Sequence, residues 1–102
     1  MGLSANEIER RLLAALCSGG LTDETRRQIL ERLAAHKFGN SDHQVIFEAL
    51  MKMPRAPAAH IRETLSARLT RLGFPDIDVQ PLFALEPPSA EQIAALLGIL
   101  GQ

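Results

Sequence analysis

The chain has 102 residues, of which 46% are hydrophobic and 23% are charged, and its formal net charge is -1. A chain of this length and composition predicts one soluble globular domain over residues 1–102, with a core of its own, and excludes a disordered or membrane-spanning protein. The apolar residues are mainly Leu, Ala and Ile, and the lack of Trp and Tyr favours helices over an extensive sheet.

The single Cys17 excludes an intramolecular disulfide, as is common in a reducing compartment. Because it falls near the end of an apolar helical stretch, we expect a buried and unreactive thiol. No segment reaches the ~20 apolar residues of a membrane span. The N-terminus also lacks the basic start and long apolar run of a signal peptide. We therefore expect a cytoplasmic protein without a membrane anchor.

Capping boxes, in which a serine precedes Glu or Gln by three residues, predict three helix starts. They are Ser4–Glu7, Ser41–Gln44 and Ser89–Gln92, each followed by apolar residues at helical spacing. With Thr22 as a further cap, and with glycines and prolines as stops, the sequence predicts an all-α, compact bundle of about five helices. Their expected ranges are 5–16, 23–37, 42–51, 57–72 and 90–100. Residues 74–83 form an irregular connection with one helical turn near 81–85.

Apolar residues at helical spacing give each helix an inner face. The inner residues expected are Ile8, Leu12, Ala15 and Leu16; Ile29, Leu30, Leu33 and Ala34; His43, Ile46, Phe47 and Leu50; Ile61, Leu65, Leu69 and Leu72; and Ile93, Leu96, Leu97 and Leu100. The third helix is apolar nearly all round, with Gln44 and Glu48 as its main exposed residues, and is expected to be central.

Catalytic and cofactor motifs are not evident in the sequence. It contains no GxSxG elbow, no Ser-x-x-Lys, no GxGxxG and no GxxxxGK[ST]. His36, His43 and His60 lack the spacing of zinc ligands. His43 is expected to be a partly buried ring bonded to a backbone carbonyl. We therefore expect no enzyme activity, cofactor, metal or small-molecule substrate.

Charge is unevenly distributed along the chain. Between residues 52 and 71 one acid, Glu63, stands against five cations, which are Lys52, Arg55, Arg62, Arg68 and Arg71. From Leu72 onward every charged residue is acidic. The basic segment is a candidate surface for nucleic acid or an acidic partner. Alternatively, the two segments pair with each other or are solvated, and no aromatic residues alternate with the cations to stack on bases.

The central spacing Phe38-x4-His43-x2-Ile46-Phe47, preceded by two helices, resembles the N-terminal domain of DnaB-type replicative DNA helicases. Glu9 and Leu12 to Leu16 stand where that family has an acidic residue before a leucine-rich helix. The resemblance covers about residues 5–72 and implies a stand-alone counterpart of a helical bundle, without the ATPase domain. It also implies a fold-defining role for the four motif residues, contacts with other copies of the chain and a place in DNA replication.

These observations predict a non-enzymatic protein–protein interaction module with a protein partner or a second copy of itself. A nucleic-acid-binding or regulatory helical protein that uses the basic segment is the alternative. The surplus apolar residues that could form a contact face, each also compatible with an ordinary core position, are Phe47, Met51, Met53, Phe74 and Phe83.

Overall fold

The computed structural model describes residues 4–53 and 57–100, and within them it forms six α-helices and no strand. The helices are α1 (Ala5–Cys17), α2 (Asp23–Ala35), α3 (Ser41–Met51), α4 (Ala58–Arg71), α5 (Gln80–Ala84) and α6 (Ala90–Leu100). The all-α prediction is therefore confirmed. The sixth helix, α5, lies in the connection for which the sequence predicted one helical turn. No helix in these two ranges is long and apolar enough to cross a membrane.

Helix α1 is the centre of the bundle, since it packs against each of the other five helices. Its residues from Leu12 to Cys17 are all buried. The prediction that α3 is central was wrong. α3 packs mainly on α1 and α4, and its side chain Met51 is 46% exposed. Met51 lies three and seven residues after Glu48 and Gln44, which places all three on one outer face.

Local side-chain bonds start three of the helices as the sequence predicted. The Ser4 hydroxyl accepts the backbone N–H of Glu7 at 3.2 Å. The Thr22 hydroxyl accepts the backbone N–H of Thr25, also at 3.2 Å. At α6 the capping box is complete, because Ser89 Oγ accepts from Gln92 N at 3.2 Å and Gln92 Oε1 accepts from Ser89 N at 2.9 Å. These bonds satisfy amide groups that have no partner within the helix.

Helix α3 starts differently from the prediction. Its N-cap is Asn40, whose Oδ1 accepts from the backbone N–H of Asp42 at 2.9 Å and of His43 at 3.3 Å. Ser41 is therefore the first helical residue rather than the cap. Asparagine is as good a cap as serine, and here it precedes the serine by one residue.

Two helix ends also depart from the prediction. α2 stops at Ala35 instead of Lys37, because His36 has an extended backbone with φ of -82° and ψ of 138°. Ala34 is exposed, since α2 is buried only through the narrow stripe of Ile29 and Leu33. At the end of α4, Leu72 was expected in the core but is 51% exposed, because it lies at the C-cap, beyond the last buried residue, Leu69.

The turn after α4 is a Schellman motif. Phe74 N donates to Leu69 O at 2.9 Å, Gly73 N donates to Thr70 O at 3.1 Å, and Gly73 has a φ of 93°. Glycine reaches this left-handed conformation without the steric cost of a side chain. The turn thus leaves Leu72 and Phe74 on the surface, two residues apart.

Candidate functional site: a buried carboxylate between two histidines

The polar centre of the molecule is Glu9, a residue of α1 whose side chain is 0% exposed. Leucines follow it three, four and seven residues later, at 12, 13 and 16. On a helix this spacing places all four side chains on one face, so Glu9 lies within the apolar face of α1. That position is the sequence signal that could have identified it, because a carboxylate inside an apolar face must find internal partners.

Three donors surround the Glu9 carboxylate. Its Oε2 lies 2.7 Å from Nε2 of His36 and accepts the backbone N–H of Gly39 at 3.0 Å. Its Oε1 lies 3.0 Å from Nδ1 of His43. Both oxygens are therefore engaged, and a buried charge receives the hydrogen bonds it needs.

The connection between α2 and α3 is shaped around this carboxylate. The extended backbone at His36 lets the ring leave α2 and reach α1, Gly39 supplies its amide from the turn, and His43 lies in the first turn of α3. Asn40 adds a second link to α1, since its Nδ2 donates to Asn6 Oδ1 at 3.0 Å. We call Glu9, His36, Gly39 and His43 the carboxylate clamp.

Burial and hydrogen bonding act on the pKa of Glu9 in opposite directions. Burial raises it, whereas the hydrogen bonds from His36, His43 and the Gly39 amide, together with the positive potential of His36, lower it. The net pKa lies below the ordinary value of 4.5. Glu9 is therefore a carboxylate at neutral pH, with both oxygens held by the two rings and the Gly39 amide.

The side chains of the clamp are largely buried. The side chains of His36 and His43 are 15% and 10% exposed, and that of Glu9 is not exposed at all. An acid–base pair that acts on a substrate must come within hydrogen-bond reach of it. The geometry suits a group that fixes α1, the α2–α3 connection and α3 in one arrangement.

Of the four motif residues, His43 belongs to the clamp and Phe38 packs beside its His36 ring. His43, Ile46 and Phe47 are buried on α3, and Phe38 is partly buried in the connection. The Phe38 ring is 5.1 Å from the His36 ring, edge to face, and 5.5 Å from the Phe47 ring. The hydrogen-bond partner of His43 Nδ1 is a carboxylate 34 residues away, so the expected backbone carbonyl was wrong.

The predicted basic segment does not form one surface. Arg62 donates to Gln80 Oε1 and lies 5.9 Å over the Phe83 ring, so it faces α5. Arg68 and Arg71 instead line an open cleft of about 300 Å³ along α4, with Glu63 beside them. Lys52, at the end of α3, is exposed, and Arg55 lies outside the described residues.

Among the described residues, no ion pair joins the basic segment to the acidic one. Within the part of the chain that the structure describes, Arg62, Arg68 and Arg71 form no ion pair with a carboxylate. Arg62 does contact the acidic segment, through a hydrogen bond to Gln80 and a cation–π contact with Phe83, but both partners are uncharged. The sequence left two alternatives to a binding role for these cations, which were pairing with the acidic segment and exposure to solvent. Such pairing is not found among the described residues, so exposure to solvent is the alternative that remains.

The surplus apolar residues divide between core and surface. Phe47 and Met53 are buried and Phe83 is partly buried, whereas Met51 is 46% and Phe74 44% exposed. Cys17 is buried as expected, and burial raises the pKa of its thiol to about 12.

Among residues 4–53 and 57–100, no group of three or more His, Cys, Asp or Glu side chains is arranged to hold a metal ion. No protein-family model, curated protein or solved structure matches the chain.

Proposed function

We propose that this chain is a non-enzymatic, helical protein–protein interaction module of the DnaB N-terminal type, associated with DNA replication and self-associating. The observation that supports it best is the carboxylate clamp. Of the residues that carry the resemblance, His43 contacts Glu9, the acidic residue that the resemblance also includes. Phe38 packs near the His36 ring and the Phe47 ring, and Ile46 is buried on the same helix as His43. Together they form interior scaffolding, which suits a domain whose function lies on its surface.

The surface offers apolar side chains for such contacts. Met51, Leu72, Phe74 and Ile99 are each between 44% and 51% exposed. Single exposed apolar residues are common, but Leu72 and Phe74 are presented together by the turn after α4. Phe and Met are enriched at protein–protein contacts relative to the rest of the surface.

Light scattering on the purified chain and affinity purification from the native cell test this function together. We expect either a dimer or larger species, or the specific recovery of a protein partner. Phe74→Ser should reduce binding if the turn after α4 is in the contact. Glu48→Gln, on the exposed face of α3, is the control and should leave binding unchanged. A strictly monomeric chain that recovers no protein partner would contradict the proposal.

The alternative function, nucleic-acid binding, is supported by the unpaired cations on α4. Arg68 and Arg71 share one cleft, and no carboxylate in ranges 4–53 and 57–100 forms an ion pair with either. If they bind phosphates, a DNA or RNA mobility shift at low salt should weaken on R68Q and R71Q, and affinity should fall as salt rises. Arg62→Gln is the matched control, because Arg62 faces α5. The lack of any shift at low salt would eliminate this alternative.

A further inference from the structure

We propose that the outer face of α6 and the groove between α2 and α6 form a self-association surface, occupied by the same surface of a second copy related by a two-fold axis. This inference rests on the proposed function, of which self-association is one part, and it assigns that part to particular residues.

Helix α6 is apolar on its outer as well as its inner face. Ile93, Leu96 and Leu97 are buried, while on the outside Ala94, Ala95, Gly98 and Ile99 are exposed, Ile99 to 47%. The one charged residue of this helix, Glu91, lies in its first turn. A helix that is apolar all round is normally covered on several sides, but here the bundle covers one side only.

A groove runs beside this outer face. It has a volume of about 410 Å³ and lies where α2 packs against α6. Gln28, Glu31 and Arg32 of α2 form one wall, and Ala94, Leu97 and Gly98 of α6 form the other. The small side chains on the α6 wall allow another backbone to approach closely. This combination of an apolar wall and a polar rim is the usual anatomy of a protein–protein contact.

The charges on the rim indicate what occupies the groove. Glu31 and Arg32 are adjacent and exposed, and neither forms an ion pair within the described residues. A two-fold interface must be self-complementary, because each surface meets a copy of itself. A rim with one acid and one base satisfies this condition, since Glu31 can face the partner's Arg32 while Arg32 faces the partner's Glu31. A nucleic acid would instead favour a rim of uniformly positive charge.

Gly98 permits a variant that changes the surface without disturbing the fold. A Cβ atom added there meets nothing within 4 Å. A longer side chain at this position therefore extends into the groove rather than into the core. Gly98→Arg places a bulky cation at the end of α6, where the helix dipole favours positive charge, so the monomer should fold normally.

Sedimentation velocity of the full chain across a range of concentrations tests the inference. We expect the wild-type chain to form a dimer and Gly98→Arg to weaken it at least tenfold. Ala67→Arg, an equivalent change on the exposed side of α4, should leave the dimer unchanged. Circular dichroism should show the same helix content in all three proteins.

Charge reversal provides the sharper test. Glu31→Arg alone and Arg32→Glu alone each place like charges opposite one another, twice per dimer, and both should weaken association. The double reversal restores opposite charges across the axis and should recover most of the wild-type affinity. A merely structural effect of either residue would not be rescued in this way.

Two results would overturn the inference, and they bear differently on the proposed function. A dimer that is insensitive to Gly98→Arg and to both single reversals would place self-association elsewhere and leave the proposed function intact. A chain that is monomeric at every concentration would also overturn it. In that case the proposed function would stand only if affinity purification recovers a protein partner, and would fall if it does not.

Discussion

Two parts of the molecule pack against the central helix α1 by different interactions. The first is the α2–α3 connection with α3, and the second, the C-terminal region, is α5 with α6. In the first, the Glu9 carboxylate takes three hydrogen bonds from the α2–α3 connection and the start of α3. In the second, α5 and α6 pack against α1 through apolar side chains such as Leu82, Ile93 and Leu96. Hydrogen bonds are directional whereas apolar burial is not. The first region is therefore specified by geometry and the second by buried area.

Removing the carboxylate should have the largest effect on stability. Glu9→Ala leaves two imidazoles and one amide without their acceptor inside the protein. Loss of one partner from a buried ionic network costs about 3–5 kcal/mol, and we expect the free energy of unfolding to fall by that amount. Urea unfolding at pH 7 measures it. Glu48→Ala, on the exposed face of α3, is the control and should change stability by less than about 0.5 kcal/mol. Equal decreases in the free energy of unfolding for Glu9→Ala and Glu48→Ala would show that the clamp does not stabilise the fold.

A cavity in the C-terminal region should cost less. Leu96 is 5% exposed on the last helix, so Leu96→Ala should lower the free energy of unfolding by about 2–3 kcal/mol, the lower part of the range for buried leucines. Since Leu96 and Glu9 lie on different helices and contribute through different interactions, the effects of Leu96→Ala and Glu9→Ala should add within about 0.5 kcal/mol. A strong coupling between them in the urea experiment would mean that the two regions are one cooperative network.

The pH dependence should separate the two regions further. Because the pKa of Glu9 is lower in the folded chain than its ordinary value of 4.5, the folded state gains stability from the ionised carboxylate. This contribution is complete above pH 4.5 and is lost as the pH falls through the lower folded pKa. Glu9→Gln removes the titration, so the variant should lose less stability than the wild type between pH 5 and pH 3 (about the window of carboxylate titration). Leu96→Ala should keep the wild-type pH profile. Parallel profiles for wild type and Glu9→Gln would contradict the expectation.

Gly73 and Gly98 should respond oppositely to alanine, and the Gly73 variant should lose stability. Gly73 has a φ of 93°, a conformation that strains any residue with a Cβ atom. Gly73→Ala should therefore lower the free energy of unfolding by about 1 kcal/mol. Thermal unfolding measures the change, and an unchanged midpoint would indicate that the turn after α4 relaxes at no cost.

Gly98 should show the smallest effect, in the stabilising direction. It lies within α6, and an added Cβ meets nothing within 4 Å. Gly98→Ala should raise the free energy of unfolding by about 0.5 kcal/mol, because alanine loses less backbone entropy in a helix. The same thermal measurement on a sample dilute enough to be monomeric checks it. A loss of stability would contradict the open space around Gly98, since it would mean that the added methyl group meets other atoms.

Much of the fold follows from local signals. Ser4, Thr22 and Ser89 each mark a helix start that the structure places where the sequence predicts it. Gly73 marks the end of α4 in the same way. These features succeed because the cap, the first turn and the stop all lie within a few residues of each other. Their interactions are complete before any tertiary contact is considered.

The clamp could be predicted only in part. The pattern places His43 on the buried face of α3, but its partner is 34 residues earlier on another helix. The same partner explains the wrong end of α2, because His36 leaves the helix to reach Glu9. Helical propensity alone continues α2 to Lys37, and a long-range hydrogen bond overrides it. The apolar spacing around Glu9 carries the information that it is internal, but not the identity of the groups it meets.

The enclosure of Cys17 has a practical consequence for studying these contacts. The chain contains one cysteine, it is 1% exposed, and burial raises the pKa of its thiol to about 12, so very little thiolate forms at neutral pH. A cysteine introduced on the outside of α6 would therefore be the one that reacts with a maleimide fluorophore, with the native residue left in place. Single-site labelled chains would then report by energy transfer how near two copies approach.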